Sequence, residues 1–426
     1  MLSEPLTTAK FPADIFKLPN GLTVIHQHLS AIPVVVVDVW VRAGAIAEPA
    51  EWSGMAHFLE HMIFKGTPTL GPGVFDAAIE RHGGLTNAAT SHDYAHFFVT
   101  TAAQYLEDTL PLLADLLLHA AIPEEEFFRE RDVVLEEIRG CYDNPDWIGF
   151  QALLENVYQY HPYGRSVLGD EVQLMSRLPQ QLRSFHGRHY QPENMTVVII
   201  GAVDRESALN LVQQSFQNFP HPGNGPLLSP DAEPPITEIR RQELYLPRIE
   251  QARLLMAWMG PGIEQLGDAY GLDLLSVLLA DGRSSRLVRE LREEQQLVQS
   301  ISSGFSLQRD SSLFTISACL EPQHLEEVEA FIGDRLLELQ KAPISPTELR
   351  RCQRLLCNDY IFSTEAASQL AGLYGYYNTI AKAELAVTYP HQIQKLTPSD
   401  LMHLSQQYLS PYHYAVTTIK PITGNW

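Results

Sequence analysis

Apolar residues recur with strand-like pattern over residues 22–28 and 33–42, which predicts two β-strands at the start of the chain. Helical spacing takes over at 55–65. A strand-like segment follows at 85–100, then helices at 104–120 and 124–142, and a late helix ahead of a strand at 195–200. The chain then breaks at NFPHPGNGPLLSPDAEPP (218–235), whose six prolines and two glycines disfavour helix and central strand alike. Beyond the break the order repeats: strands at 243–246 and 252–259, a helix at about 269–279, a strand at 313–320, helices at 325–341 and 346–360, and a closing strand at 414–419.

The repeat extends to wording, since LPQQLRSFHGRHYQPENMTVVIIG (178–201) echoes LTPSDLMHLSQQYLSPYHYAVTTIK (396–420). This predicts an internal duplication: residues 1–218, a linker at 219–236, and a homologous unit at 237–426. Strands mixed with runs of helices, rather than strict alternation, place both units in the α+β class, each a largely antiparallel sheet packed with helices. Aligning Gly54 with Gly271 sets Leu274, Val277 and Leu278 opposite His57, Glu60 and His61. One scaffold is therefore written twice, and only the first copy carries polar chemistry.

Composition narrows the function classes. The 426 residues suffice for two cores, and 45% hydrophobic with 19% charged residues is ordinary for a globular chain. A net charge of -21 argues against nucleic acid, which needs a basic surface. No run reaches the ~18–20 apolar residues of a membrane span. The first ten residues lack a signal-peptide layout, and Cys141, Cys319, Cys352 and Cys357 lack paired spacing. Free thiols in a cytoplasmic location are the expectation.

The chemistry centres on His57-Phe58-Leu59-Glu60-His61. Residues four apart on a helix stand one above the other, so the two imidazoles can face a common ion. Zinc accepts neutral imidazole, and a catalytic site adds a third protein ligand and a water. Glu60, beside His61, is placed to reach that water and act as a general base. The order inverts the commoner HExxH motif. A third ligand is sought on PEEEFFRERDVVLEEIRGCY (123–142), read as a helix opened by proline and a glutamate-rich turn. Its Glu130 and Glu137 are seven apart and share a face, whereas Glu124 to Glu126 read as solvated surface. Other histidine pairs are weaker. His92 and His96 lie in a strand-like stretch where four residues span ~13 Å, and His26 with His28 reads as part of a solvated hairpin.

Taken together these residues resemble the pitrilysin/insulinase zinc peptidases, especially the mitochondrial-processing-peptidase-like branch. The resemblance covers nearly the whole chain. It rests on LPNGLTVI (18–25), GMAHFLEHMIFKGT (54–67), GGLTNAATSHDYAHFF (83–98), FRERDVVLEEI (128–138), HPYGRSVLG (161–169) and YQPENMTVVIIG (190–201). It implies one zinc ion per chain on His57, His61 and Glu137, with Glu60 as base. Glu130 would orient a ligand histidine, and register favours Glu137 over its neighbour Glu136. Asn87, Ala88 and Ala89 would pair with the backbone of an extended peptide substrate, and Arg292 would contact it from the second half. Relatives also carry a tyrosine there, but LREEQQLVQS (291–300) has Gln299 at that place. The resemblance therefore implies a clamshell dimer, in which a related chain supplies an arginine–tyrosine pair, or a homodimer. The alternative is a non-catalytic scaffold subunit. No nucleic-acid or membrane partner is expected.

Overall fold

The structure, a computed structural model, describes residues 10–221, 230–247 and 249–422. Part of the expected linker, 222–229, and the expected leaderless start, 1–9, lie outside the described residues.

Eleven strands are described, and they form two sheets. The first contains β1 (Asp14–Lys17), β2 (Thr23–His28), β3 (Val34–Val41), β4 (Leu85–Thr90), β5 (Ala95–Ala102) and β6 (Met195–Gly201). The second contains β7 (Ile239–Leu246), β8 (Ala252–Met259), β9 (Val298–Ser306), β10 (Leu313–Leu320) and β11 (Tyr414–Pro421). Their orders are β1-β2-β6-β3-β5-β4 and β7-β11-β8-β10-β9. Without β1 the two are the same sheet, strand for strand. Only β2–β6 and β7–β11 pair in parallel; every other described pair is antiparallel. The α+β class and the duplicated sheet both stand.

Strand β3 explains why the first sheet reads as a nearly continuous apolar run. Val35, Val37, Val39 and Val41 point to one face and Val36 and Trp40 to the other, and all are buried. The first face packs on helices of its own half, including Met55–Ile63 and Glu124–Cys141. The second is covered by Ala367–Ile380, a helix from the far end of the chain, through Ala371, Tyr374 and Tyr377. Gly375 lies so close beneath Trp40 that a Cβ there would sit 2.1 Å from the indole nitrogen. The exchange is mutual. Pro145–Val157, from the first half, covers the second sheet with Leu153, Leu154 and Val157 against Leu255, Ala415 and Ile419. Each sheet is thus roofed by a helix of the other half, and neither helix was in the expected order of elements.

Other expectations need correction. The segment 85–100 is a hairpin, not one strand, because Ser91 accepts a turn: its N–H donates to Tyr94 O at 2.8 Å. His92 sits in that turn, bonded to Arg165 O at 3.0 Å, while His96 on β5 pairs with Asp38 at 3.0 Å. The two rings thus have different partners, and His92 lies in a turn rather than in the strand expected. The hairpin expected at His26 and His28 is there, β1 pairing antiparallel with β2, but only His28 is exposed; His26 is buried at 2% exposure, and both rings bond Val203 O. Strand β7 begins at Ile239, ahead of the expected 243, and β9 was not anticipated. All four cysteines are free thiols. Among the described residues no helix is long and apolar enough to cross a membrane.

Candidate metal centre

The helix Met55–Ile63 is positioned by its apolar side. Phe58, Leu59, Met62 and Ile63 are fully buried, which leaves His57, Glu60 and His61 on the remaining faces. Its N-cap is Gly54 at φ 84°, a left-handed conformation that favours glycine, and a Cβ there would sit 2.5 Å from Leu168 O. Glycine has no side chain to cap the helix. Glu48 does this instead: its Oε2 accepts from Gly54 N–H at 2.9 Å and its Oε1 from Ala56 N–H at 2.6 Å. Burial pushes the Glu48 carboxyl up to about 8, against the pull of those two N–H groups, Arg165 and Arg177. Sequence reasoning did not single out Glu48. The one available signal was a helix start whose capping position is a glycine.

Phe58 meets Phe127 at 4.8 Å between ring centroids, docking this helix on Glu124–Cys141. On the facing sides the two helices interleave their polar groups. Glu137 Oε2 lies 3.7 Å from His57 Nε2 and 3.4 Å from His61 Nε2. These are the ligand atoms of the one group among the described residues that could hold a metal ion, all within 4.8 Å of one another. Tetrahedral ligands at ~2.1 Å from zinc are ~3.4 Å apart, so the spacing fits. The donor set fits too, with two imidazoles and a carboxylate leaving one position for water.

The surrounding residues prepare this set. His61 Nδ1–H donates to Glu130 Oε1 at 2.8 Å, which leaves Nε2 free as a lone-pair donor. Burial opposes charge on His61, but Glu130 and Glu137 outweigh it and raise its pKa. His57 is 7% exposed; burial, with His61 alongside, pushes its pKa down to about 3, so it is a neutral imidazole. Its Nδ1 is buried without a hydrogen-bond partner among the described residues. Glu60 Oε2 accepts from Thr90 Oγ1–H at 2.6 Å, and burial raises the Glu60 pKa. Thr90 is the last residue of β4, which pairs only with β5 among the described strands and so offers a free edge. Glu137 is 43% exposed, so the centre opens to solvent on that side.

The structure therefore brings together His57, Glu60, His61, Glu130 and Glu137, and sets Asn87, Ala88 and Ala89 on the adjoining edge strand. Arg292 it does not bring. That side chain lies in a π-helical turn, Val288–Glu294, and bonds to Glu293 beside it at 2.6 Å. Gln299 sits on β9, the edge of the other sheet, where Cys319 Sγ donates to it at 3.3 Å.

Comparison with known proteins accords with this geometry. The family described as insulinase (peptidase family M16) matches residues 23–171, which contain the whole metal centre. The zinc protease PqqE of Helicobacter pylori is 30% identical over 412 residues, 95% of this chain and 92% of that protein. The chain belongs to the pitrilysin/insulinase (M16) family of zinc peptidases. A second M16 description, the inactive domain, matches 177–356, where Leu274, Val277 and Leu278 replace the polar groups. An uncharacterised zinc protease of Mycobacterium leprae is 32% identical over 354 residues, 82% of this chain and 78% of that protein. The crystal structure of a Helicobacter pylori protease superposes at a TM-score of 0.90 with 29% identity, covering 96% of this chain and 99% of that one.

Proposed function

We propose that this M16 chain is a zinc metalloendopeptidase that cleaves unfolded peptides or precursor segments bound in extended form. The observation that carries the reading is the convergence of two imidazole nitrogens and a carboxylate beside a half-buried glutamate and a free sheet edge. His57, His61 and Glu137 would hold one zinc ion, which supplies Lewis acidity toward the peptide carbonyl and lowers the pKa of a bound water. Asn87, Ala88 and Ala89 on β4 would hydrogen-bond the substrate backbone as an added strand. Glu60 takes a proton from the attacking water and returns it to the leaving amine nitrogen, and its raised pKa brings it nearer the balance such a shuttle needs. Thr90 holds its carboxylate at the end of the substrate edge.

The second half offers no tyrosine at position 299, and Arg292 is tied to Glu293. For this reason we place the chain as the zinc-bearing member of a two-chain clamshell whose partner supplies an arginine–tyrosine pair to the substrate. Four free thiols suit the reducing cytoplasm, the location we propose.

The test is turnover of a quenched fluorescent peptide library by the zinc-loaded chain, beside Glu60→Gln. Loss of a general base costs about 10²–10⁴-fold, so the variant should bind zinc and lose cleavage by that factor. Unchanged cleavage in Glu60→Gln would end the mechanism. Full activity of the homogeneous chain would remove the need for a different partner. Zinc binding with turnover only after a tyrosine-bearing companion is added would support the two-chain arrangement.

A further inference from the structure

His57, His61 and Lys65 are spaced four apart. Phe64, the cap after Met55–Ile63, keeps helical dihedrals (φ -78°, ψ -2°), so the stripe that carries both histidines continues to Lys65. Opposite it, Glu130 and Glu137 are two turns apart on the facing helix. The five groups interleave. Glu137 lies between His57 and His61, and Glu130 between His61 and Lys65, with Lys65 Nζ donating to Glu130 Oε2 at 2.6 Å. Glu130 is only 7% exposed, and among the described residues each of its oxygens has a single side-chain donor, His61 for one and Lys65 for the other.

This arrangement ties the lysine to the metal ligand mechanically. Without Lys65, Glu130 Oε2 would lose its side-chain donor, a cost of about 1–3 kcal/mol for a group left unsatisfied. A Glu130 side chain that turns to find another protein donor withdraws Oε1 from His61 Nδ1. We propose that Lys65 is a positioning residue of the metal centre, holding Glu130 in the rotamer that orients His61 toward the ion. The proposal rests on the zinc reading above. The rival role is a charge at a helix C-terminus, where a lysine is favoured by the helix dipole whatever else it touches.

Zinc affinity separates the two roles. It would be measured on the full chain by competition with a fluorescent chelator, for wild type, Lys65→Met, Lys65→Gln and Lys65→Arg. The melting temperature of each metal-free protein would be recorded beside kcat and KM on a quenched peptide at saturating zinc. Removing partners of metal ligands typically costs about 10–100-fold in metal affinity, and we expect at least the lower figure for Lys65→Met and Lys65→Gln. Their kcat should fall with KM unchanged, because Lys65 does not face the peptide edge, and Lys65→Arg should restore both affinity and kcat. A lowered metal-free melting temperature with wild-type zinc affinity would overturn the proposal and leave Lys65 a helix-end charge. Failure of the wild-type chain to bind zinc would instead overturn the zinc reading, and this proposal with it.

Discussion

In the first half Met55–Ile63 packs against Glu124–Cys141; in the second Leu266–Ala280 packs against Pro346–Phe362, beneath a sheet of the same strand order. Where the first helix presents His57, Glu60 and His61, the second presents Leu274, Val277 and Leu278, exposed by 0%, 4% and 1%. The fold accepts either set. Leucine and valine at these places need no partners, whereas the histidines and glutamates depend on one another, on Thr90 and on Lys65, and among the described residues His57 Nδ1 still has no partner. Side chains that the scaffold can replace with hydrocarbon contribute little to holding it together. Their presence in one half is an argument for chemistry, made by the other half.

The largest expected effect comes from making the first half like the second. In His57→Leu with His61→Leu, zinc binding should vanish and peptide turnover fall by about 10³-fold or more, the several kcal/mol a metal supplies to the barrier. Stability without metal should fall by no more than about 1–3 kcal/mol, the cost of leaving Glu130 Oε1 without the donor it loses with His61. Urea unfolding in the presence of a chelator checks this. A variant that unfolds would show that the interleaved polar groups hold the helices together, and the comparison would fail.

The reverse exchange should be costly in stability and yield no chemistry. Leu274 is fully buried, so Leu274→His leaves a polar ring without an arranged partner and removes packed hydrocarbon. A loss of about 2–5 kcal/mol is expected, read as a lower urea midpoint with an unchanged slope. Zinc uptake by the second half, measured in the His57→Leu/His61→Leu background, should remain absent. A stoichiometric site there would mean that the second helix pair still presents ligands.

This asymmetry was largely legible in the residues. The metal-bearing helix, expected over 55–65, runs Met55–Ile63, and the glutamate helix expected over 124–142 runs Glu124–Cys141. Both carry strong local signals: good helix formers, an apolar stripe, and a proline and acids at the start of the second. The crossing helices Pro145–Val157 and Ala367–Ile380 escaped because periodicity reports an apolar face but not whose sheet it covers. Strand β9, VQSISSGFS, is rich in serine and glycine, and its strand character comes from pairing with β10 rather than from its own propensity. Glu48 escaped for a related reason. It lies nine residues before His57, and only the folded backbone shows that it caps the helix.

The smallest effect separates one helix of each half by pH. In Pro179–His189, burial pushes His186 and His189 down to about 4, from an ordinary 6.5. A base whose folded pKa is depressed favours the neutral folded form, so its contribution is whole above pH 6.5 and is lost as the pH falls toward 4. In Leu266–Ala280, burial pushes Asp273 up to about 6 from 3.8, against the Tyr389 hydroxyl that donates to it. An acid with a raised folded pKa behaves oppositely: its contribution is whole below 3.8 and is lost as the pH rises to 6. Acidification from 6.5 to 4 therefore weakens the first helix by at most about 3 kcal/mol for each of its two histidines and relieves the second by at most about 3 kcal/mol. Glu48, pushed up to about 8, gains on acidification within the first half and offsets part of the global loss. The contrast must therefore be read locally, by hydrogen exchange at pH 7 and pH 4.5. Amides of 179–189 should lose protection on acidification relative to those of 266–280, and His189→Phe should reduce that loss. Equal changes in both helices would mean that acid acts on the molecule as one cooperative unit, and the two halves would then differ in chemistry alone.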